Sequence, residues 1–451
     1  MIRAEEQVLE GARPMPRKET STGAFFWLSA FYLVYCARPE DWVPGLEYIP
    51  LAKIAGGFAL LGLLSSLGRT QRGFRDLPRE ASYLLAMIGV LFISALLSPV
   101  WRGGALSSTL DFAKVWIVWI LTFLLVTDLA KLRRLIYIQS ASVAVISVVS
   151  MILGHNQPRL EGVIGGIYSN PNDLALAIVI TLPFALAFLF SAKGIIVRLC
   201  WTGTILIMGL ALFRTASRAG FISLVISGTV CLWYFGVKGR RFYLIVASGL
   251  TVVVLLIVAG GPLADRMAAI SGNVSNKEEA RAYGSYEERK YLIDKALEGI
   301  VHYPILGLGV RNFETYSGVW KAVHNSYLQI AVEGGIPSLI LYLLFFASAF
   351  SNLRKLRRVR DLDAPSTLFV GALHSSMIGF VVGALFAPVA YQFFPYFSVA
   401  YTSTLLAMVQ EGQRVGEPSP AGRRFAWRSS KIKSDDIVHV GRGSRSIDQL
   451  R

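Results

Sequence analysis

The sequence predicts an all-α, polytopic membrane protein of about 12 transmembrane helices. Three observations point to it. Hydrophobic residues make up 54% of the chain and charged residues only 16%, against about 25% charged in a soluble domain. Apolar runs of roughly 17–25 residues recur, the length that crosses a hydrocarbon core about 30 Å thick. Lysine and arginine also concentrate in alternate connections, as the orientation of a membrane protein requires.

The spans follow in order. The first, 24–37, ends early at Arg38 and Pro39. Spans 50–67, 81–99, 109–128 and 134–153 are predominantly apolar stretches. Span 172–191 opens on "SNPND", where Pro171 suits a first helical turn, Asn170 or Asn172 can cap it, and the helix dipole tolerates Asp173. Spans 195–212 and 218–236 are separated only by the turn "RTASRAG", and 241–260 completes this group. The tenth span, 324–350, is interrupted by Gly334, Gly335 and Pro337, so 324–333 reads as a short interfacial helix leading into the true span. Spans 366–387 and 393–410 close the series.

Between the ninth and tenth spans lies a 63-residue connection, 261–323, long enough to expect a function of its own. Its segment "SYEERKYLIDKALEGIVHYPILGLGVRNF" predicts an amphipathic helix from Ser285, with Leu292, Ala296, Leu297 and Ile300 on one face. Pro304 ends that helix, and Gly307 and Gly309 permit a tight turn. Such a helix would lie on the membrane or cap a cleft.

Charge sets the orientation. One set of connections holds Arg3, Arg13, Arg17 and Lys18; Arg69, Arg72, Arg75 and Arg79; Lys131, Arg133 and Arg134; Lys193 and Arg198; Lys238, Arg240 and Arg241; and "RKLRRVR" at 354–360. The other short connections hold Arg38, Arg102, Arg159, Arg214 and Arg218, a balance of 21 against 5. Both termini are therefore expected in the cytoplasm, with a cytoplasmic leader 1–23, a transmembrane domain 24–410 and a basic tail 411–451. The leader shows no small-residue cleavage site. The tail, rich in Arg, Ser, Gly and Lys, reads as solvated and disordered, with anionic lipid head groups as the alternative partner. The net charge of +16 resides in these connections and the tail, which points to membrane lipids as partners and away from nucleic acid. Cys36, Cys200 and Cys231 fall in or beside apolar segments and suggest neither a disulfide framework nor a metal cluster.

On the outer side, Arg214 and Arg218 stand four apart, so on helical geometry both can face one direction. Arginine near a bilayer marks a partner or an anion site, with snorkelling to head groups as the alternative. Lys114, in the outer half of the fourth span, and Arg38, in "CARPEDWVPGLEYIP", carry the same pair of readings. His324 and Asn325 stand at the mouth of "VHNSYLQIAVEGGIPSLI"; a histidine there is more often a cap or packed polar group than a catalyst. The D-x-D sequence "DLD", 361–363, falls on the cytoplasmic side beside "RKLRRVR", where it balances charge. No outer His/Cys/Asp cluster has ligand spacing, so neither metal nor other cofactor is expected.

Taken together, four stretches resemble the O-antigen ligase and polymerase-like family of bacterial envelope proteins: "GIYSNPNDLALAIVITLPF", "RTASRAGFISLVI", "ERKYLIDKALEGIVHYPILGLGVRNF" and "VHNSYLQIAVEGGIPSLI". They occur in the family's order over about 165–345. The sequence departs from the commonest pattern at Ala219, where a second glycine often stands.

The resemblance implies a GT-C-like helical bundle with one large periplasmic loop over a lateral cleft, in the bacterial inner membrane. It implies a metal-independent glycosyltransferase whose donor is a glycan on undecaprenyl diphosphate. The acceptor would be a lipid A–core sugar in a ligase, another lipid-linked repeat in a polymerase, or a protein hydroxyl in related enzymes. On the matching positions, Arg214, Arg218 and Arg289 would hold the diphosphate, His324 would take the acceptor's proton, and Asn325 would orient His324 or the acceptor. Asn172, Lys114, Arg38 and Arg311 are secondary candidates. A small-anion carrier of the bicarbonate type is the rival from another class, with Lys114 and Glu333 lining its path. The deep spans, however, are nearly charge-free and show no convincing repeat. A membrane scaffold, the third reading, would tolerate changes at Arg218 and His324.

Overall fold

A computed structural model describes residues 22–66, 72–154, 159–162, 166–168, 170–259, 261, 277–359 and 362–416. Most of the expected leader, the stretch 262–276 of the long connection and most of the tail lie outside the described residues. The chain divides into Met1–Leu406 and Ala407–Arg451, and all packing below lies within the first.

The described residues are helical, without a strand among them. The principal helices are α1 (Thr22–Ala37), α2 (Leu51–Ser65), α3 (Arg79–Leu96), α4 (Arg102–Leu125), α5 (Leu129–Leu153) and α6 (Pro171–Ser191). They continue as α7 (Ile195–Arg214), α8 (Arg218–Leu232, extended by a π turn to Lys238), α9 (Tyr243–Ala259), α10 (Lys277–His302), α11 (Ser326–Leu356), α12 (Ala364–Gly383) and α13 (Phe393–Gly416). Among the described residues, 8 helices are long and apolar enough to cross a membrane, with shorter apolar helices at Thr22–Ala37, Leu51–Ser65 and Tyr243–Val258. A helix occupies the position of every expected span.

Helix α6 is apolar all round, the pattern of a helix enclosed by others, and most of its residues are buried. Small residues let its neighbours close on it. Gly371, Ser375, Gly379 and Gly383 recur every fourth residue along α12; the last three meet Ser227 and Ser223 of α8, and Gly371 meets Tyr234. A Cβ at Gly383 would lie 2.3 Å from a Leu176 methyl, and one at Gly379 would lie 3.0 Å from Cβ of Ser227. Ser227 Oγ donates to the Ser375 carbonyl at 2.8 Å. Such small-residue ridges allow close helix approach where lipid supplies no hydrophobic drive. Gly220 does the same between α8 and α6, since a Cβ there would lie 2.6 Å from that of Ala175. The entry to α8, and with it Arg218, is thereby fixed against α6.

The first half of α13 runs through the interior. Ser398, Thr402, Ser403 and Thr404 are buried there beside Tyr396 and Tyr401. Tyr401 donates to Gln139 at 2.9 Å, and Tyr32 packs on Phe397 in a tilted pair with ring centroids 4.2 Å apart. Protein rather than lipid surrounds this helix, so its composition is mixed.

The amphipathic helix of the long connection exists but differs from expectation in two respects. It starts at Lys277 rather than Ser285, and Leu297 is exposed while Leu292 and Ala296 are buried. Residues 292, 296 and 300 recur at four-residue spacing; 297 lies one residue, about 100°, beyond 296. This face packs on Leu308, Phe313, Val323 and Val332, so α10 docks on α11 rather than presenting that face to a membrane surface.

Helix α11 breaks at Gly335 (φ 75°, ψ 174°), as the Gly-Gly-x-Pro sequence predicts. The break receives the turn after α10. Leu308 N–H donates to Val332 O (2.9 Å), Gly309 N–H to Glu333 O (2.8 Å) and Ile336 N–H to Pro304 O (2.8 Å). "YPILGLG" and "EGGIP" are the two halves of one contact.

Candidate functional site

The leading candidates fall in two groups, one at the starts of α6 and α8 and one at the start of α11. Arg214 is the last residue of α7 and Arg218 the first of α8. The expectation that four-residue spacing aligns them on one helix face is corrected, because the chain turns between them with Ala216 at φ 47°. The turn is held internally: Thr215 Oγ1 donates to Leu212 O at 2.6 Å, and Ser217 Oγ accepts from Gly220 N–H at 3.0 Å, capping α8. Leu160 N–H donates to Arg214 O at 2.8 Å and Arg159 Nε to Thr215 O at 3.1 Å. Both Arg214 and Arg218 are half-buried, so each retains access to solvent.

Of the two capping candidates on α6, Asn170 is the cap, accepting from Asn172 N–H at 2.9 Å. The side chain of Asn172 turns instead to α8, where Ser217 Oγ donates to its Oδ1 at 2.7 Å. That buried bond ties the "SNPND" stretch to the arginine turn. Asp173, next along α6, lies beside Gln392.

His324 lies just before α11, beside α10. Its environment holds Arg289, Glu288 and Lys321, and Lys321 Nζ pairs with Glu288 at 2.5 Å. Burial, then the Arg289 charge, lowers the imidazole pKa from its ordinary 6.5 to about 4. The ring is therefore neutral at physiological pH, and its buried Nδ1 has no hydrogen-bond partner among the described residues. Asn325 caps α11, its Oδ1 accepting from Tyr327 N–H at 2.9 Å and Leu328 N–H at 3.1 Å. Its carbonyl oxygen is committed to the helix, which leaves the amide NH₂ for any further contact.

The connection between α12 and α13 joins the two groups. Ser326, next to Asn325, donates through N–H to Ala384 O (2.8 Å) and through Oγ to Ala387 O (2.7 Å), and it accepts from Val389 N–H (3.0 Å). Tyr391 lies against Glu333 of α11. Gln392 reaches Asp173 on α6, next to the Asn172–Ser217 bond. One stretch of nine residues, 384–392, thus touches the mouth of α11, the break in α11 and the start of α6.

The secondary candidates divide. Asn172 joins the arginine turn and Arg289 joins His324. Arg311, exposed and at φ 62°, offers its backbone N–H to Glu333. Lys114 pairs with Asp111 one turn away on an exposed stretch of α4. Arg38 holds Asp41 through two bonds of 2.8 Å and Glu40 through a third of 2.8 Å. Lys114 and Arg38 thus have local carboxylate partners. Ser326, Glu288, Tyr391 and Gln392 were not foreseen; their partners lie far away in sequence, and no spacing pattern announces them. Among the described residues no group of three His, Cys, Asp or Glu side chains could hold a metal ion. Asp363 of the "DLD" stretch caps α12 through Ser366 N–H (3.3 Å), and Asp361 lies outside the described residues.

The arginine turn lies at the start of α8, and His324 with Arg289 lies at the mouth of α11. Residues 203–343 match a family model described as O-antigen ligase. The matched stretch runs from α7 into α11 and contains Arg214, Arg218, Arg289, His324 and Asn325, although it covers less than half of the chain. The match supports the resemblance read from the motifs: residues 203–343 are similar to the O-antigen ligase family. A search of the curated proteins finds no match.

Proposed function

We propose that the protein transfers a glycan from a lipid diphosphate to an acceptor hydroxyl at the outer face of the bacterial inner membrane, as an O-antigen ligase. The chain crosses the membrane 12 times in this reading, with both termini cytoplasmic and the mouth at His324 facing the periplasm. The charge asymmetry of the connections supports that orientation. The donor is a glycan on undecaprenyl diphosphate, and the acceptor is a sugar of the lipid A–core kind; a polymerase would differ in using another lipid-linked repeat.

The observation that carries this reading is a neutral imidazole beside a guanidinium, His324 beside Arg289, in a stretch that also holds Arg214 and Arg218. The acceptor oxygen attacks the anomeric carbon and the glycosyl–phosphate bond breaks. The diphosphate leaves with the bonding electrons, and the hydroxyl proton passes to His324. Charge grows on the leaving phosphate, so fixed arginines stabilise the transition state more than the ground state. The low proton affinity of His324 also acquires a purpose. Arg289 is one of its causes, so a bound diphosphate that offsets that charge raises the imidazole's basicity once donor is in place. Asn325, held as a helix cap, presents its amide toward the acceptor. No metal or other cofactor enters this scheme.

Complementation of a strain lacking its glycan ligase tests the reading, with wild type, His324→Ala and Arg218→Ala at equal membrane levels. Both variants are expected to leave glycan on the lipid carrier, and wild type to deliver it to lipid A–core. Delivery to a growing lipid-linked chain instead would make the protein a polymerase. Two variants as active as wild type would make His324 a packed polar group and Arg218 a membrane anchor.

A further inference from the structure

We propose a second binding site, for a phosphate-bearing anionic lipid, at the helix ends opposite the mouth. A cavity of about 1130 Å³ opens there between the ends of α6, α8 and α11 and the start of α12. Helix α6 begins beside the arginine turn at Pro171 and ends on the cavity at Ser191; at 1.5 Å per residue its 21 residues separate the two places by about 30 Å. The site is thus distinct from the candidate transfer site and goes beyond the transfer reading.

Basic side chains converge on the cavity from four segments: Arg133; Lys193; Lys238 and Arg241; and Arg354, Arg357 and Arg358. No Asp or Glu is among its described lining residues. Aromatic rings hold several of the cations in place. Arg241 lies over Phe190 at 4.4 Å; Lys238 and Arg357 lie over Tyr234 at 5.3 and 5.6 Å; Arg133 lies over Phe369 at 5.6 Å and donates to Ser191 Oγ at 3.4 Å. A guanidinium with one face on a ring keeps its N–H edge for phosphate oxygens. Tyr234, which two of the cations share, is seated against Gly371, where a Cβ would come within 3.1 Å of its ring.

Basic pockets between helices at a membrane surface suit lipid phosphates. The remaining wall favours a lipid over free phosphate, because Phe235, Leu356, Leu368 and Val370 line the same space and offer an apolar surface to glycerol and acyl groups. Basic side chains that merely snorkel would each meet a different head group and show no preference for one bound molecule.

Native mass spectrometry of the purified full-length protein tests this, with phosphatidylglycerol, cardiolipin and phosphatidylcholine added singly. Wild type is expected to retain one phosphatidylglycerol or cardiolipin molecule and to release phosphatidylcholine. Lys238→Gln with Arg357→Gln should weaken that retention about 30-fold, at about fivefold per charge. Lys114→Gln, on α4, should leave it unchanged. Where the double variant is not monodisperse, Arg241→Gln alone is expected to cost about fivefold and Arg241→Lys to restore most of it. Equal retention of phosphatidylcholine, or wild-type retention by the folded Gln variants, would overturn the proposal. Displacement of the lipid by equimolar inorganic pyrophosphate would overturn it in favour of a free-phosphate site.

Discussion

Replacing Gly335 with alanine probes the contact that joins the long connection to α11. At φ 75° and ψ 174° the backbone there suits glycine alone, and a residue with a Cβ costs about 1–3 kcal/mol. The added Cβ would also lie 2.1 Å from Ile305 O and 2.4 Å from Ile305 C. Both are backbone atoms, so no rotamer change relieves the clash; the 304–309 turn must move. Movement endangers the bonds from Leu308, Gly309 and Ile336, of 2.9, 2.8 and 2.8 Å, at about 1 kcal/mol each. The loss is therefore between about 2 and 6 kcal/mol, from a partial shift to full detachment of the turn. Two glycines serve as controls. Gly318 has φ 78° but nothing within 4 Å of a Cβ, so alanine there costs only the backbone strain, about 1–2 kcal/mol. Gly228 is helical and open, so alanine should be neutral or stabilise by up to about 1 kcal/mol. Thermal unfolding in detergent, followed by size-exclusion fluorescence, should rank Gly228→Ala highest, Gly318→Ala next and Gly335→Ala last. A Gly335→Ala protein as stable as Gly318→Ala would refute the claim that turn and break form one packed unit.

Ser217→Ala should cost about 1–3 kcal/mol, since it removes the cap of α8 and leaves Asn172 Oδ1 unmatched. Combined with Asn172→Ala in a thermal-unfolding cycle, it should show a coupling above about 0.5 kcal/mol. For His324, the folded protein holds fewer protons than the unfolded one between pH 4 and 6.5, so its contribution to stability is complete above pH 6.5 and is lost as pH falls toward 4. Stability measured across that window should fall less steeply in His324→Gln than in wild type. Lys114→Ala should leave glycan transfer within about twofold of wild type and change stability by less than about 1 kcal/mol, because its partner Asp111 forms an exposed pair.

The helix positions were legible because length and apolarity alone determine which stretches can cross a bilayer. The break around Gly334, Gly335 and Pro337 and a cap by Asn170 or Asn172 were legible too, being local events written in adjacent residues; the structure selects Gly335 and Asn170. Misreadings arose where geometry departs from a repeat. Arg214 and Arg218 have helical spacing, yet a left-handed residue, Ala216, stands between them. Leu297 adjoins a buried stripe without belonging to it. The mixed polarity of α13 hid its interior position, since Ser398 and Thr402 resemble surface residues until neighbouring helices enclose them. Least legible was the 384–392 connection. Its contacts with Ser326, Glu333 and Asp173 span 58 to more than 200 residues of sequence, and no local pattern encodes such pairings.

Separate measurement of donor binding and glycan transfer, on the reconstituted protein with a lipid-diphosphate-linked glycan, tests the central claim most directly. His324→Ala should bind donor within about threefold of wild type and transfer it at least about 100-fold more slowly, the loss expected of a missing general base. Arg218→Ala should lose donor affinity and transfer together. A folded, membrane-inserted His324→Ala protein that transfers glycan at the wild-type rate would contradict the account.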